Sequence, residues 1–427
     1  MKKFFKGLLK ILKWTGILIL GIIILLLIVR FIGKLYYNRT PDGGINETMY
    51  IDVNGQEQWI NIYGEDKNNP VMLYLHGGPG GSTSAMDWKV LRKLAKDYTV
   101  VNWDQRGCGK TQIHDPQEGP ITPELMRSDI DSVVNTVLEY MGKDRITILG
   151  HSWGTMYGGD YVVRHPEKAD CIIDLSLSVD SDITAMRNKC VEDYISGTTD
   201  YQTAIDKYGE LSFLYYNFTG ESSCLDSSEK YRKYFGAVKQ IMTDWTTGNE
   251  DDRVLAEQFD PDEMAELICG SSEADIEKAG HMFSESVLPL TEKYVYGDEE
   301  SLFDGDVNLI AAAFFNPYYS IADYVKNTFG EDVYYQPVDP TDEQSVEAGD
   351  LLLDDFDLSE KTEYAVPIYV LQGSDDDYCG VIKSYFDRIN APDKEFRYID
   401  GGHMSTMIRS EEMAEFVHEI AAKRQCS

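Results

Sequence analysis

One stretch, residues 145–164, constrains the fold more than any other. Arg145–Leu149 (RITIL) reads as a short apolar strand. Gly150-His151-Ser152-Trp153-Gly154 follows without a break, and a helical pattern then runs to Arg164. Side chains flanking so tight a strand-to-helix turn would collide, which is the reason for glycine at both ends. The turn lifts the Ser152 hydroxyl above the sheet edge, as in a nucleophile elbow. No other G-x-S-x-G occurs in the chain.

The flanking sequence repeats this alternation. Met49–Val53 and Glu57–Tyr63, joined by Asn54-Gly55, predict a β-hairpin. Val71–Leu75, Tyr98–Trp103 and Cys171–Leu177 read as further strands, with helices over Met86–Lys96 and from Pro123, behind a Thr122 cap, to about Met141. After a long interruption the alternation resumes: strand Pro367–Gln372, helix Gly380–Asn390, strand Glu395–Ile399, helix Ser410–Arg424. Strands alternating with helices imply a mostly parallel sheet covered on both faces. The interrupting residues, 181–363, are Tyr-rich, acidic and helix-like, and are expected to form an inserted cap between the core parts 48–180 and 364–427.

The first 39 residues are of another kind. They hold eight basic residues and no acid, whereas residues 40–427 carry 31 basic against 73 acidic ones. Trp14–Val29 is sixteen residues without a charge, and after Arg30 the run continues through Phe31-Ile32-Gly33. A bilayer core needs about 20 apolar residues, and Arg30 is expected to reach the headgroups. Residues 1–33 are therefore expected to be a basic tail and transmembrane anchor, and residues 34–47 a linker. Five lysines precede the run, a bias that places the tail in the cytoplasm and the body outside. A cleaved signal would start alike, but the exit, RFIGKLYYNRT, offers no A-x-A site.

A net charge of -34 argues against nucleic acid as a partner, because a polyanion cannot neutralise phosphates. Seven cysteines without a C-x-x-C give neither a disulfide framework nor a zinc site, although one bridge among Cys190, Cys224 and Cys269 stays open. No metal or organic cofactor is implied.

A serine hydroxyl needs a base to remove its proton. With this elbow the chain order is serine, acid, histidine. Of the histidines after Ser152, His165 lies at a helix end, His281 falls in the insertion and His418 is expected to face solvent. His403 follows a strand in Asp400-Gly401-Gly402-His403, on a loop able to reach the elbow. The acid is expected where the preceding strand ends, and Asp375, Asp376 and Asp377 all qualify by spacing. Backbone N–H donors for a developing oxyanion are expected from Trp153 and from the glycine-rich loop His76-Gly77-Gly78-Pro79-Gly80.

His76–Gly80, Asp104-Gln105-Arg106-Gly107-Cys108-Gly109-Lys110-Thr111 and Gly150–Gly154 together resemble the signatures of the prolyl iminopeptidase family, serine aminopeptidases of the α/β-hydrolase fold. Gly373–Cys379 resembles that family's G-R-Y-D-x-x-C stretch, which singles out Asp376 as the acid. The resemblance implies a Ser152–His403–Asp376 triad and Gly78 and Trp153 as oxyanion donors. It also implies a small peptide substrate with a free N-terminus, and Asp104 and Arg106 as braces for the loop. An esterase or lipase could use the same triad.

Overall fold

The computed structural model describes residues 2–179, 183–208, 211–214, 227–270, 272–290, 305–329, 333–338, 345–376 and 379–425. Eight strands form one sheet: β1 (Ile45–Val53), β2 (Gln56–Gly64), β3 (Val71–Leu75), β4 (Thr99–Trp103), β5 (Ile146–Ser152), β6 (Ala169–Leu177), β7 (Ile368–Gly373) and β8 (Lys394–Ile399). Their order is β1-β2-β4-β3-β5-β6-β7-β8. The β1/β2 and β2/β4 pairs are antiparallel and every other pair is parallel. Asn54 and Gly55 both have positive φ, the geometry that suits a two-residue hairpin turn.

β3 is buried along its whole length, and its side chains alternate between two cores. Val71, Leu73 and Leu75 pack on one face with the helices Pro123–Met141, Trp153–Arg164 and Cys379–Arg388. Met72 and Tyr74 pack on the other face with Trp88, Leu91 and the helix Ser410–Gln425. The chain leaves β3 towards β4 on one side and later returns to place β5 on the other. Such a reversal opens a crevice at the carboxyl ends of the two central strands, and the glycine-rich loop and Ser152 leave the sheet there.

The helices between 190 and 290 have a hydrophobic core of their own, built on Phe213, Tyr234, Phe235, Ile241 and Phe259. Later inserted residues behave differently. Val307, Leu309 and Ala312 join one core of the sheet, and Tyr334, Leu352, Phe356 and Leu358 join the other. The expected insertion 181–363 therefore contains a helical unit followed by a strap that packs as part of the sheet's own body.

The segment expected as a linker is shorter than 34–47. The N-terminal helix, Lys2–Tyr37, continues through residues 34–37 because nothing there breaks it, and Tyr37 packs edge-on to Trp88. β1 begins at Ile45, paired with Gly64. The stretch Met86–Lys96 is a four-residue α-helix, Trp88–Leu91, continued by a 3₁₀ turn. Within the N-terminal helix, Lys13–Tyr37 is long and apolar enough to cross a membrane, with a mean hydropathy of 2.9. Signal sequences share that length and composition. Arg30, expected to reach lipid headgroups, is instead only 8% exposed and donates to the backbone carbonyls of Phe314 and Tyr319.

Candidate active site

Ser152 is the last residue of β5 and the cap of the next helix, with φ 55° and ψ -126°. A non-glycine residue in so unfavourable a conformation persists only where its surroundings over-determine it. Here they do. A Cβ at position 154 would lie 2.0 Å from the Leu75 carbonyl oxygen, and one at position 150 would lie 2.7 Å from the Gly154 carbonyl oxygen. Thr155 Oγ1 donates to the Ser152 carbonyl at 2.7 Å and accepts the Ser178 N–H at 2.9 Å.

The two loops that follow β7 and β8 are laced together by backbone bonds from Ser374 to Ile399 (2.8 Å) and from Asp375 to Gly401 (3.0 Å). This lacing brings Asp376 to His403, with Nδ1 and Oδ2 2.8 Å apart. The Asp376 side chain is fully buried, while that of His403 is 33% exposed. Asp375 is exposed and takes a bond from Ser374 Oγ, and Asp377 lies outside the described residues. With Nδ1–H donated to a carboxylate, the lone pair of His403 sits on Nε2, facing away from the acid. Ser176 Oγ holds the His403 carbonyl at 2.5 Å, which fixes the loop from β6.

The glycine-rich loop closes the site from the β3 side. Gly77 lies directly against the nucleophile: a Cβ there would be 3.1 Å from Ser152 Cβ. Gly78, one residue further on, has φ 117° and folds against Gly80 and Gly81. Trp153 opens its helix, so its N–H has no partner within the helix.

Beneath the loop, the Asp104 carboxylate accepts Ser82 Oγ (2.6 Å), the Lys110 N–H (2.6 Å) and Tyr319 O–H (3.2 Å). Arg106 forms a buried two-pronged pair with Asp129 at 2.6 and 2.9 Å and also donates to the Val53 carbonyl. Two more histidines sit close by. Burial pushes His151 down to about 3, with the charge of His403 acting in the same direction, and burial also lowers His76. Both rings are therefore neutral near pH 7. His418 does not simply face solvent: its Nδ1 pairs with Asp97, and the ring is half-buried.

Four further residues of the site carry no motif in the sequence: Gln372, whose Nε2 donates to Asp376 Oδ2 at 2.7 Å, Asp129, Ser176 and Tyr319. Gln372 had one legible signal, a polar residue ending an apolar strand. Asp129 lies on an amphipathic helix that also carries Glu124, Asp131 and Glu139, so nothing local marks it.

Residues 70–409 match the family described as alpha/beta hydrolase fold. The chain belongs to that family. This α/β-hydrolase is 27% identical over 179 residues to a proline iminopeptidase of Heyndrickxia coagulans, a match covering 38% of this chain and 59% of that one. It is 34% identical over 122 residues to a proline iminopeptidase of Lactobacillus helveticus, covering 28% and 40%. The matches thus span less than two thirds of these curated relatives. The crystal structure of a Mycobacterium smegmatis proline iminopeptidase aligns over 89% of this chain and all of that one, at 16% identity and a TM-score of 0.40. In sequence this α/β-hydrolase is prolyl iminopeptidase-like.

Proposed function

We propose that the protein is a membrane-anchored serine aminopeptidase that releases the N-terminal residue of short peptides. The observation that carries the reading is the buried Asp376 carboxylate on His403 Nδ1, with the His403 ring 5.6 Å from that of His151, the residue before the conformationally strained Ser152. In this mechanism His403 Nε2 takes the Ser152 proton as Oγ attacks the scissile carbonyl. The N–H groups of Trp153 and Gly78 stabilise the oxyanion. Protonated His403 then gives its proton to the leaving amine, and an acyl-Ser152 ester remains. Water, deprotonated by the same imidazole, attacks that ester and frees the residue and the serine. Asp376 keeps the ring in the correct tautomer and balances its transient charge.

The insertion within residues 181–363, whose described helices between 190 and 290 have a core of their own, is read as the cap over this site. Its acid-rich composition, with twelve acids against one base from 331 to 363, suits a substrate ammonium group, which needs anionic partners once removed from water. The lysines before the apolar run support a reading in which one span holds the catalytic body on the outer face of the cell membrane.

A hydrolysis panel tests the reading: proline, alanine and leucine anilides, their N-acetylated twins, and short and long acyl esters. The free-amine anilides are expected to be cleaved, and acetylation to slow them by roughly 10²–10³ or more, the rate equivalent of breaking a buried ion pair. Equal kcat/KM for acetylated and free anilides, with faster ester cleavage, would make the protein an esterase.

A further inference from the structure

The end of the N-terminal helix is docked rather than free. Gly33 meets Phe315 so closely that a Cβ there would lie 2.2 Å from the ring. Arg30 and Lys34 both donate to the Tyr319 carbonyl, at 2.9 and 2.7 Å. The Arg30 guanidinium also lies 5.8 Å from the Phe314 ring centroid and 5.5 Å from that of Tyr324. The groups that receive it belong to the helices Leu309–Phe315 and Ile321–Phe329 and to the turn between them. The Tyr324 hydroxyl ties the two helices by donating to the Ala313 carbonyl at 2.6 Å.

These contacts set a depth. At 1.5 Å per residue, the run from Trp14 to Gly33 covers about 30 Å, one hydrocarbon thickness. If that run spans the bilayer, Gly33 stands at its outer boundary and Arg30 about one turn below it. The carbonyls that cap Arg30 must then reach the same level. The two helices carrying them also expose aliphatic side chains: Ile310 is 52% exposed and Ile321 and Val325 are each 53% exposed. Ile321 and Val325 are four residues apart and share one helix face. A body with such an acidic balance gains nothing by charge from an anionic bilayer, so the contact has to be apolar.

We infer that the helices Leu309–Phe315 and Ile321–Phe329 lie in the outer membrane–water interface, with Ile310, Ile321 and Val325 inserted among the lipids that surround the anchor. The inference rests on the membrane-anchored reading above. It gives the catalytic body a fixed seat on the bilayer, where a body on a flexible tether would tumble. Val325 also lines a cavity of about 880 Å³ bounded by Gly80, Gly81, Gly107 and Cys108, so that cavity opens beside the seat.

The test uses the full chain reconstituted in phosphatidylcholine vesicles, with a photo-crosslinking benzoylphenylalanine introduced singly in place of Leu25, Ile321, Val325 or Val254. Val254 is an equally exposed aliphatic on a helix remote in sequence from the anchor contacts. After irradiation, lipid adducts are counted by mass spectrometry, and retained hydrolytic activity reports folding. The expected result is lipid adducts at 25, 321 and 325, several-fold above those at 254. Adducts at 25 with only the Val254 level at 321 and 325, or chain-to-chain adducts there, would overturn the seat and leave the anchor standing. No lipid adducts at 25 would overturn the anchor and the seat together.

Discussion

Nδ1 of His403 lies 2.8 Å from Oδ2 of Asp376, on a carboxylate sealed from water, while the neighbouring Asp375 is exposed. One carboxylate of the acidic turn is thus set apart from its neighbour by burial and by partner. Ser152→Ala, His403→Ala and Asp376→Asn are each expected to remove most of kcat, and the losses are not expected to add, because the members of a triad act as a unit. Asp375→Asn should stay near wild type. Steady-state kinetics on one activated substrate decides this, and an inactive Asp375→Asn beside an active Asp376→Asn would reverse the assignment.

The pH profile follows from the same group. His403 must be neutral to act as base, and an unperturbed histidine titrates near 6.5. His151 and His76 are already neutral, so they add no second ionisation in this range. A plot of kcat/KM is expected to fall in acid along one limb of unit slope. A flat profile from about pH 5 to 8 would contradict the histidine-base mechanism.

His151 predicts a stability effect of definite sign. Unfolded, it takes up a proton below about pH 6.5; folded, it resists down to about 3. The unfolded chain therefore binds more protons between these values, and stability drops as pH falls through that window. At pH 5 the loss relative to neutral pH is about 2 kcal/mol from this residue. Asp87, pushed up to about 7 by burial, works the other way. A His151→Asn variant isolates the histidine: between pH 7 and 5 it should lose about 2 kcal/mol less than wild type in urea unfolding. Equal losses would show that His151 is protonated in the fold.

The buried Arg106–Asp129 pair predicts a structural phenotype. Removing one partner strands the other charge, which costs about 3–5 kcal/mol. Asp129→Ala should lower the melting temperature markedly. Arg106→Lys should lower it as well, because an ammonium cannot reproduce the two-pronged geometry. Thermal unfolding of the two variants checks this.

Much of the sheet was legible because its strands obey local rules. β3 has the predicted bounds, Val71–Leu75, because a short apolar run between turns is what a doubly covered strand requires. The helix Pro123–Met141 starts where Thr122 caps it, through a bond from the Leu125 N–H. Ser152 and His403 stood out as candidates because the tight turn and the loop after a strand leave marks in glycine. What stayed hidden depends on distant pairing. Gln372 is the exception: it lies only four residues from Asp376, but a polar residue at a strand end does not by itself reveal which group it binds. Tyr319 reaches Asp104 across 215 positions. Arg30 read as a snorkelling residue because the carbonyls that receive it lie some 285 residues away.

The claim that Ser152 is the nucleophile is tested most directly by covalent trapping. The full chain is treated with a fluorophosphonate, which esterifies an activated serine, and the modified peptide is found by mass spectrometry. One phosphonylated residue is expected, Ser152, with labelling abolished in Ser152→Ala and strongly slowed in His403→Ala. Labelling at another serine, or an Ser152 that stays unmodified while the enzyme still turns over substrate, would contradict it.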